Sequence, residues 1–472
     1  MSLPALVDQA AERWPDKRAW TFPDTEPVTF AEIAERSAAY AATLAARGVV
    51  PGDRVGLMLR NRLEFALLWL AVARLGAAVV PLNVKYGPTD AGHLLTETDP
   101  RLVVAETDLL DLVERARPGT AAVAVDDLPL TDGFVQQPVD ADTVVNVQFT
   151  SGTSGTPKGC LLPHRYWTTL ADSLVDGFPH LTAHDVMLTA QPVSYVDPQW
   201  NLVASLTSGA ELVVLDGFHP STFFDEVRRH QVTYFYCLAA MPTLLLAMPA
   251  SDLDHQHRLR VVQCSAIPPA RHAEIEERWG VPWFECFGMT ETGADIRVDP
   301  EEHDELVGTG CLGRPAAHRE ARLVGSASGG ELQLRGPGMM HGYLGHPSPF
   351  VDDGWFPTGD LARTDDAGRL YLVGRTKDMI RRSGENVAAR EVEDVLLAHP
   401  GVRLAAVVGV PDEIRGEEIK AYVVATVSTD ELDAWCRERL AAFKVPRYWE
   451  LRDDLPRTPS ERVAKHLLER VP

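Results

Sequence analysis

Cysteine is scarce in this sequence, and its spacing excludes the common uses of paired thiols. Six cysteines occur among 472 residues, and no two stand in a Cys-x-x-Cys arrangement. Structural zinc sites and disulfide frameworks need clustered or paired cysteines, so the sequence argues against both. Isolated free thiols are typical of a reducing compartment, and the sequence therefore predicts a cytoplasmic protein.

Positive charge is also in short supply, which excludes another class of partner. The 45 lysines and arginines are outnumbered by 67 aspartates and glutamates, and the formal net charge is −22. Nucleic-acid-binding domains carry a basic surface, so we expect no nucleic-acid partner.

Long apolar runs are missing as well. The longest candidate, residues 65–80, contains Arg74 and is shorter than the roughly 18 apolar residues that indicate a membrane-spanning helix. Residues 1–16 alternate apolar and charged side chains as an amphipathic helix does, which is unlike a signal peptide. We therefore expect no membrane span.

Helix and strand patterns alternate through the first 300 residues. Residues 30–47 have the periodicity of a helix ended by Gly48, and residues 64–75 predict a second helix. Residues 55–59 and 77–82 are typical of buried strands. Strand–helix–strand alternation favours parallel strands with helices on the sheet faces.

The pattern changes twice further along the chain. From about residue 306, short strands and glycine-rich turns predict a small antiparallel β-barrel. A second boundary near Lys377 and Asp378 precedes an α+β segment. The predicted fold class is α/β: residues 1–377 form a large N-terminal domain with parallel sheets flanked by helices plus the barrel, and residues 378–472 form a small α+β domain.

Residues 150–159 have the composition of a phosphate-binding loop. They include three glycines, five hydroxyl side chains and Lys158, and they follow residues 144–149, a buried-type strand. Residues 161–174 are predicted to be the next helix. Glycines let backbone N–H groups turn toward one point and Lys158 adds a charge, which suits a polyphosphate. The alternative is a flexible surface linker.

This stretch resembles the phosphate loop of the adenylate-forming superfamily, which includes acyl-CoA synthetases, peptide-synthetase adenylation domains and luciferases. The resemblance runs from about Phe30 to the end of the chain and includes four motifs in the family's order. It implies that ATP phosphates contact Thr150, Ser151, Gly152, Thr153, Ser154, Gly155 and Lys158.

Residues 284–293 resemble the family's aromatic-Gly-x-Thr-Glu motif. The resemblance implies that Phe287 lies against adenine, Thr290 meets the α-phosphate and Glu291 holds Mg²⁺, an ion that prefers carboxylate oxygens and bridges phosphates. Taken alone, Glu291 also fits a glutamate at a helix start. The further nucleotide contacts assigned on this resemblance are Ser265, Ala266, Glu285, Cys286 and Gly288.

Two later motifs complete the resemblance. Asp360 resembles a ribose-binding aspartate, although aspartate after Thr-Gly is also a common turn former. Arg375 matches a ribose or phosphate contact, and Asp378 matches the hinge about which the small, mobile domain turns between two half-reactions. Arg381 is assigned to the nucleotide. Gly384 matches a glycine lining the thiol tunnel, or is a simple turn glycine.

The last motif departs from the family pattern. Glu461 and Arg462 stand where the family has Gly-Lys, the lysine that bridges carboxylate and α-phosphate during adenylation. We interpret Arg462 as its substitute; altered chemistry is the alternative, because the longer, planar guanidinium is not equivalent to an ammonium. Lys465 is expected to face elsewhere.

A second departure lies near the acyl pocket, to which we assign Tyr195, Asp197 and Trp200. Tyr195 stands where many family members have histidine. Asp197 followed by Pro198 also fits a helix N-cap and a first helical position. If Asp197 faces the pocket, it suits a substrate with a hydrogen-bond donor, such as an amino-substituted aromatic acid.

The resemblance implies an enzyme that uses ATP and Mg²⁺ to adenylate a carboxylic acid, releases pyrophosphate and forms a CoA thioester. The catalytic residues would be Glu291, Thr290, Arg462 and Lys158. The sequence of residues 379–386 most resembles that of bacterial carnitine- and crotonobetaine-type CoA ligases. One alternative is a diazotase of secondary metabolism that adenylates nitrite and diazotises an aromatic amine; another is a non-catalytic AMP-binding protein. The expected partner is a small-molecule acid or amine, and the sequence indicates no oligomeric state.

Overall fold

The computed structural model describes residues 1–150, 157–238, 240–326, 329–382, 385–412, 414–457 and 463–471. Some residues assigned to the site from the sequence lie outside this part of the chain: Ser151, Gly152, Thr153, Ser154, Gly155, Gly384 and Arg462.

The α-helices of the described residues include those predicted at residues 30–47 and 64–75. They are α1 Leu3–Arg13, α2 Phe30–Ala46, α3 Leu63–Arg74, α4 Pro88–Thr98, α5 Leu110–Ala116, α6 His164–Val175, α7 Val196–Ser208, α8 Phe223–Arg229, α9 Met241–Leu246, α10 His272–Trp279, α11 His303–Leu306, α12 Ala389–Leu397 and α13 Thr429–Arg439. The α2 helix begins with a capping box between Thr29 and Glu32, which satisfies two N-terminal amides. Gly48 follows its end at a φ of 82°.

The strands range from two to eleven residues in length. They are β1 Arg18–Thr21, β2 Val28–Thr29, β3 Arg54–Met58, β4 Ala78–Pro81, β5 Leu102–Ala105, β6 Ala122–Ala124, β7 Val144–Thr150, β8 Lys158–Pro163, β9 Val186–Thr189, β10 Glu211–Val214, β11 Tyr234–Leu238, β12 Val261–Ser265, β13 Trp283–Met289, β14 Gly293–Arg297, β15 Cys311–Pro315, β16 Glu320–Ser326, β17 Gly329–Arg335, β18 Phe356–Thr364, β19 Leu370–Arg375, β20 Met379–Arg382, β21 Glu385–Ala388, β22 Val402–Asp412, β23 Gly416–Ala425 and β24 Tyr448–Leu451.

Two sheets with helices between them confirm the predicted α/β fold. One has the order β6-β5-β3-β4-β7-β8 and is parallel except for the β7–β8 pair. In the other, β13-β12-β11-β9-β10-β1 are parallel neighbours. The largest apolar cluster joins residues of both sheets to α2, α3, α6 and α7. The α3 helix is buried along its whole length, as a helix packed on several sides must be.

The region predicted as a barrel is antiparallel and continues the second sheet. Beyond β13 the order runs β14-β15-β19-β18-β17-β16, and each of these pairs is antiparallel. A separate apolar cluster fills it, with Ile296, Leu312, Leu332 and Leu334 among its members.

The C-terminal region has its own sheet and core, which confirms the smaller α+β part of the fold. Strands β20 to β24 pair with one another, and Val392 of α12 and Leu432 of α13 pack with them. On the other face, Val408 and Tyr422 share a cluster with Leu455, and Ala240 packs against it. The boundary between residues 377 and 378, and the mobility of this domain, stay predictions.

The predicted helix at residues 161–174 is wrong at its start. Residues 158–163 form β8, antiparallel to β7, and α6 begins only at His164. The reason is packing: Cys160 and Leu162 are buried among apolar side chains. A Cβ on Gly159 would lie 2.8 Å from Cγ1 of Val147, so glycine permits the close strand pairing.

Within the described residues, no helix combines the length and apolar character needed to cross a bilayer.

Candidate active site

The ends of the phosphate loop are fixed by a strand pair. Thr150 of β7 lies opposite Lys158 of β8 in the antiparallel register. Antiparallel pairing brings the two ends of a connecting loop together, so these residues mark the place where the loop leaves and rejoins the sheet. The predicted contacts at residues 151–155 lie outside the described residues.

Tyr343, which the sequence analysis did not predict as a site residue, contacts both Glu291 and Lys158. Tyr343 donates a hydrogen bond of 2.9 Å to Oε1 of Glu291, and the Lys158 ammonium lies 5.2 Å from the centre of the Tyr343 ring. The main chain of Tyr343 pairs with Cys160 of β8. This bridge joins distant parts of the chain, so no local pattern indicates it.

Glu291 is a buried carboxylate, with 8% of its surface exposed. Its backbone oxygen accepts a hydrogen bond of 2.9 Å from the Met340 amide. Burial raises the pKa of Glu291, while the hydrogen bond from Tyr343 and the charge of Arg375 act in the opposite direction. A carboxylate oxygen in the neighbourhood of Lys158 is of the kind that Mg²⁺ prefers, since this ion commonly takes one or two protein carboxylates together with substrate phosphates.

A buried ion pair supports the strand turn next to Glu291. Arg319 donates to Oδ1 of Asp295 at 2.7 Å and to the backbone oxygen of Thr292 at 2.6 Å. Thr292 also donates its hydroxyl to Asp295. Burial raises the pKa of Asp295 to about 6 despite the arginine. This network fixes the residue that follows Glu291, and it was not foreseen because Arg319 is 24 residues from Asp295 in the sequence.

The remaining residues of the Thr-Glu motif lie at the end of β13. A Cβ on Gly288 would lie 2.1 Å from the backbone oxygen of Gly293, so only glycine fits this turn. Phe287 is partly buried against the antiparallel core. Thr290 is half-buried and immediately precedes Glu291.

Asp360 and Arg375 are brought together as a pair. They lie opposite each other in the β18–β19 register. Arg375 donates from Nε to Oδ1 of Asp360 at 2.7 Å and from a terminal nitrogen to Oδ2 at 3.3 Å. The Asp360 side chain is 2% exposed and that of Arg375 33%. Both charges influence the pKa of Glu291, so the candidate ribose and metal residues share one region.

Glu285 holds a loop rather than presenting a free carboxylate. Its oxygens accept hydrogen bonds of 2.7 and 2.8 Å from the amides of Ala266 and Ile267. Ala266 has a φ of 72°, a left-handed conformation that needs such support in a residue with a side chain. Burial raises the pKa of Glu285 to about 7 against these hydrogen bonds.

Ser265 and Cys286 lie side by side at the ends of neighbouring strands. The Ser265 hydroxyl donates to the Cys286 backbone oxygen at 2.7 Å and lies 2.6 Å from the Tyr236 hydroxyl. Burial, followed by the charge of Glu285, raises the pKa of the Cys286 thiol to about 12.

The three residues assigned to the acyl pocket lie at the start of α7: Tyr195 is its N-cap, and Asp197 and Trp200 belong to the helix. The Asn83 amide donates to the Tyr195 hydroxyl at 2.9 Å. The Trp200 indole nitrogen lies 3.5 Å from Oδ1 of Asp197. The interpretation of Asp197 as the N-cap is wrong: Tyr195 occupies that position and the helix begins at Val196. The Asp197 side chain is therefore on the first helical turn.

The C-terminal candidates are more scattered. The Arg381 side chain is exposed, and its amide donates to Glu417 at 2.7 Å. Arg462 lies outside the described residues, which resume at Val463. Lys465 faces the predicted hinge: its ammonium is 2.7 Å from Glu393 and 3.8 Å from Asp378.

Comparison with known proteins gives this arrangement its context. The family model for "AMP-binding enzyme" matches residues 7–344, and that for "AMP-binding enzyme C-terminal domain" matches residues 391–462. A sulfoacetate–CoA ligase from Cupriavidus necator is 32% identical, with 98% of this chain and 96% of the relative covered. A crotonobetaine/carnitine–CoA ligase from Salmonella paratyphi A is 30% identical, with 99% of each chain covered.

A solved structure agrees over the whole chain. The o-succinylbenzoate coenzyme A synthetase from Bacillus subtilis, in complex with ATP and magnesium ion, superimposes with a TM-score of 0.87 at 28% identity. The match covers 98% of each chain. These relatives give no support to the diazotase hypothesis.

The predicted superfamily is thus confirmed by two consecutive family matches, full-length relatives and a common fold: the chain belongs to the AMP-binding, adenylate-forming enzymes of the acid–CoA ligase family.

Proposed function

We propose that the protein joins a small carboxylic acid to coenzyme A in two steps through an acyl-adenylate. The observation that supports this most directly is the convergence of Glu291, Tyr343 and Lys158 beside the Asp360–Arg375 pair. A metal-binding carboxylate, a phosphate-binding cation and a ribose-binding carboxylate then lie together. The enzyme uses ATP, Mg²⁺ and CoA, as the sequence predicts.

In the first step, the acid's carboxylate attacks the α-phosphorus of ATP and pyrophosphate leaves. Lys158 is placed to attract phosphate oxygens, and the half-buried Thr290 stands one residue before the metal-binding candidate. Asp360 can accept hydrogen bonds from ribose hydroxyls, and the hydrogen bonds from Arg375 orient its carboxylate. Mg²⁺ held at Glu291 would supply charge neutralisation on the phosphates.

Tyr343 keeps the Glu291 carboxylate in place for this task. Its hydroxyl occupies one side of Oε1, and a hydrogen bond to the ionised form favours that form. We assign Arg462 to the charge that develops between carboxylate and α-phosphate, because a preorganised cation there stabilises the transition state.

In the second step, the CoA thiol attacks the acyl-adenylate carbonyl and AMP leaves. We assign the approach of the thiol to the neighbourhood of Gly384 after the C-terminal domain turns about Asp378. A glycine leaves room for a narrow pantetheine arm.

The test is a product assay on the purified protein with ATP, Mg²⁺, CoA and a panel of aryl and alkyl acids. We expect acid-dependent AMP and pyrophosphate, together with a mass corresponding to the acyl-CoA. Nitrite-dependent AMP release with loss of an arylamine, and no thioester from any acid, would replace the proposal with diazotisation. Binding of AMP without turnover of any substrate would leave only a binding protein.

A further inference from the structure

Three neighbouring parallel strands, β11, β12 and β13, are joined to the α7 helix through the contact between Tyr236 of β11 and Trp200 of α7. Tyr236 lies on β11, Ser265 ends β12 and Cys286 lies on β13. Ligands of α/β sheets bind outside the carboxyl ends of parallel strands. Each of these three side chains keeps some exposed surface, although Phe235 and Cys264 beside them are buried. They therefore line a partly exposed surface that includes two of the candidate nucleotide contacts, Ser265 and Cys286.

The α7 helix closes this surface on one side. Asp197, Trp200 and Asn201 are three and four residues apart, so they share one helix face. The Trp200 ring meets the Tyr236 ring edge to face, with centroids 5.5 Å apart and planes at 83°. The Tyr236 hydroxyl is in turn 2.6 Å from the Ser265 hydroxyl. The helix face is therefore connected through Tyr236 to Ser265 at the end of β12.

The polar atoms on this helix face are mainly acceptors. Asp197 presents a partly exposed carboxylate. The Asn201 amide donates to the Asp197 backbone oxygen at 2.7 Å, and Oδ1 of Asn201 has no hydrogen-bond partner within the described residues although Asn201 is 1% exposed. After burial, the negative charge of Asp197 is among the causes that raise the pKa of Tyr236, which places the carboxylate within electrostatic range of the strand ends.

We infer that the surface formed by the α7 helix face and the three strands selects a planar acid that carries an amino group away from its carboxylate. Asp197 accepts hydrogen bonds from that amino group. The inference rests on the proposed ligase function and adds its substrate class. The flat ring of Tyr236 keeps some exposed surface and is backed by the buried Trp200 ring, so it provides packing surface for a planar substrate. A carboxylate that is partly removed from water is a poor neighbour for an unsubstituted ring and a good acceptor for N–H groups.

The experiment compares benzoate, 4-hydroxybenzoate, 3-aminobenzoate and 4-aminobenzoate as substrates for AMP and thioester formation. The variants are Asp197→Leu, Asp197→Asn and, as a control on the same helix, Thr207→Ala. We expect the wild type to favour an aminobenzoate over benzoate in kcat/KM by at least about 10-fold, the effect of one hydrogen bond to a charged group.

The variants then test the role of the side chain. Asp197→Leu should abolish the preference, so that the ratio of kcat/KM for the aminobenzoate to kcat/KM for benzoate falls to about 1. Asp197→Asn, which keeps an acceptor oxygen, should retain part of the preference, and Thr207→Ala all of it. An unchanged preference in Asp197→Leu, or a wild type that favours benzoate or 4-hydroxybenzoate, would overturn the inference with the ligase function intact. Failure of every acid to give AMP and thioester would overturn both.

Discussion

Tyr343 donates a 2.9 Å hydrogen bond to Glu291 from a strand bridge that also positions Lys158. One phenol thus connects the end of the phosphate loop to the metal-binding candidate. The antiparallel β7–β8 pair holds Lys158, and the backbone bond from Met340 holds Glu291. Their separation is therefore set by main-chain hydrogen bonds, and mutations here should affect chemistry more than folding.

Replacing Glu291 by glutamine removes the charge proposed to bind the metal while keeping the shape of the side chain. We expect AMP formation to fall by at least about 100-fold, the scale of losing one key electrostatic contact in the transition state. Steady-state AMP release measures the effect, and a melting temperature within a few degrees of wild type shows that the fold persists. A variant that makes AMP at a near-normal rate would mean that another residue holds the metal.

Tyr343→Phe should change the pH dependence of adenylation. If Glu291 holds Mg²⁺ as proposed, it must be ionised; burial raises the pKa of Glu291 and the Tyr343 hydrogen bond lowers it. Activity should therefore fall as pH drops through the raised pKa, and removing the hydroxyl should move this acid limb to higher pH. At neutral pH we expect a loss of about 10-fold.

The control for this experiment is Tyr371→Phe. Tyr371 donates to Asp365 at 3.3 Å but lies outside the site, so its removal should leave the pH–rate profile unchanged. An acid limb that moves equally in both variants, or in neither, would contradict the role given to Tyr343.

Arg319→Met should destabilise the protein strongly. The side chains of Arg319 and Asp295 are 1% and 0% exposed, and breaking such a buried pair costs about 3–5 kcal/mol. Since the pKa of Asp295 is already raised to about 6, protonation at lower pH should reduce the deficit. Urea unfolding at pH 7.5 and pH 5 measures both effects.

Arg165→Met is the matched control for the buried pair. Arg165 pairs with Asp142 at 2.7 Å, but the two side chains are 47% and 56% exposed. Its loss should cost less than about 1 kcal/mol, as for other surface pairs. Equal costs for the two substitutions would show that burial does not govern the Arg319 contribution.

Arg462→Ala tests the substituted cation of the last motif. If Arg462 acts on the carboxylate and α-phosphate, acid-dependent AMP formation should be lost, with the melting temperature within a few degrees of wild type. Arg462→Lys should keep the charge and retain activity. Unchanged turnover in both variants would make Arg462 a bystander.

Periodicity predicted the helices and parallel strands well, because one-sided burial imposes a repeat on each element. The segment 161–174 shows the limit: its apolar residues fit a helix or a strand, and pairing of β8 with β7 decided between them. The sequence motifs indicated Glu291, Asp360 and Arg375 as site residues. The β18–β19 register then places Asp360 opposite Arg375. The supports at Tyr343 and Arg319 depend on contacts between remote strands, so no local pattern contained them.

The environment of Cys286 bears on competition between nucleophiles. An acyl-adenylate reacts with thiolates, and Cys286 lies beside Ser265 at the candidate nucleotide site. Burial raises the pKa of this thiol to about 12, so the protonated form dominates at neutral pH, whereas the thiolate is the reactive form. The protein's own thiol is thereby kept from capturing the activated acyl group, which remains available for transfer to coenzyme A.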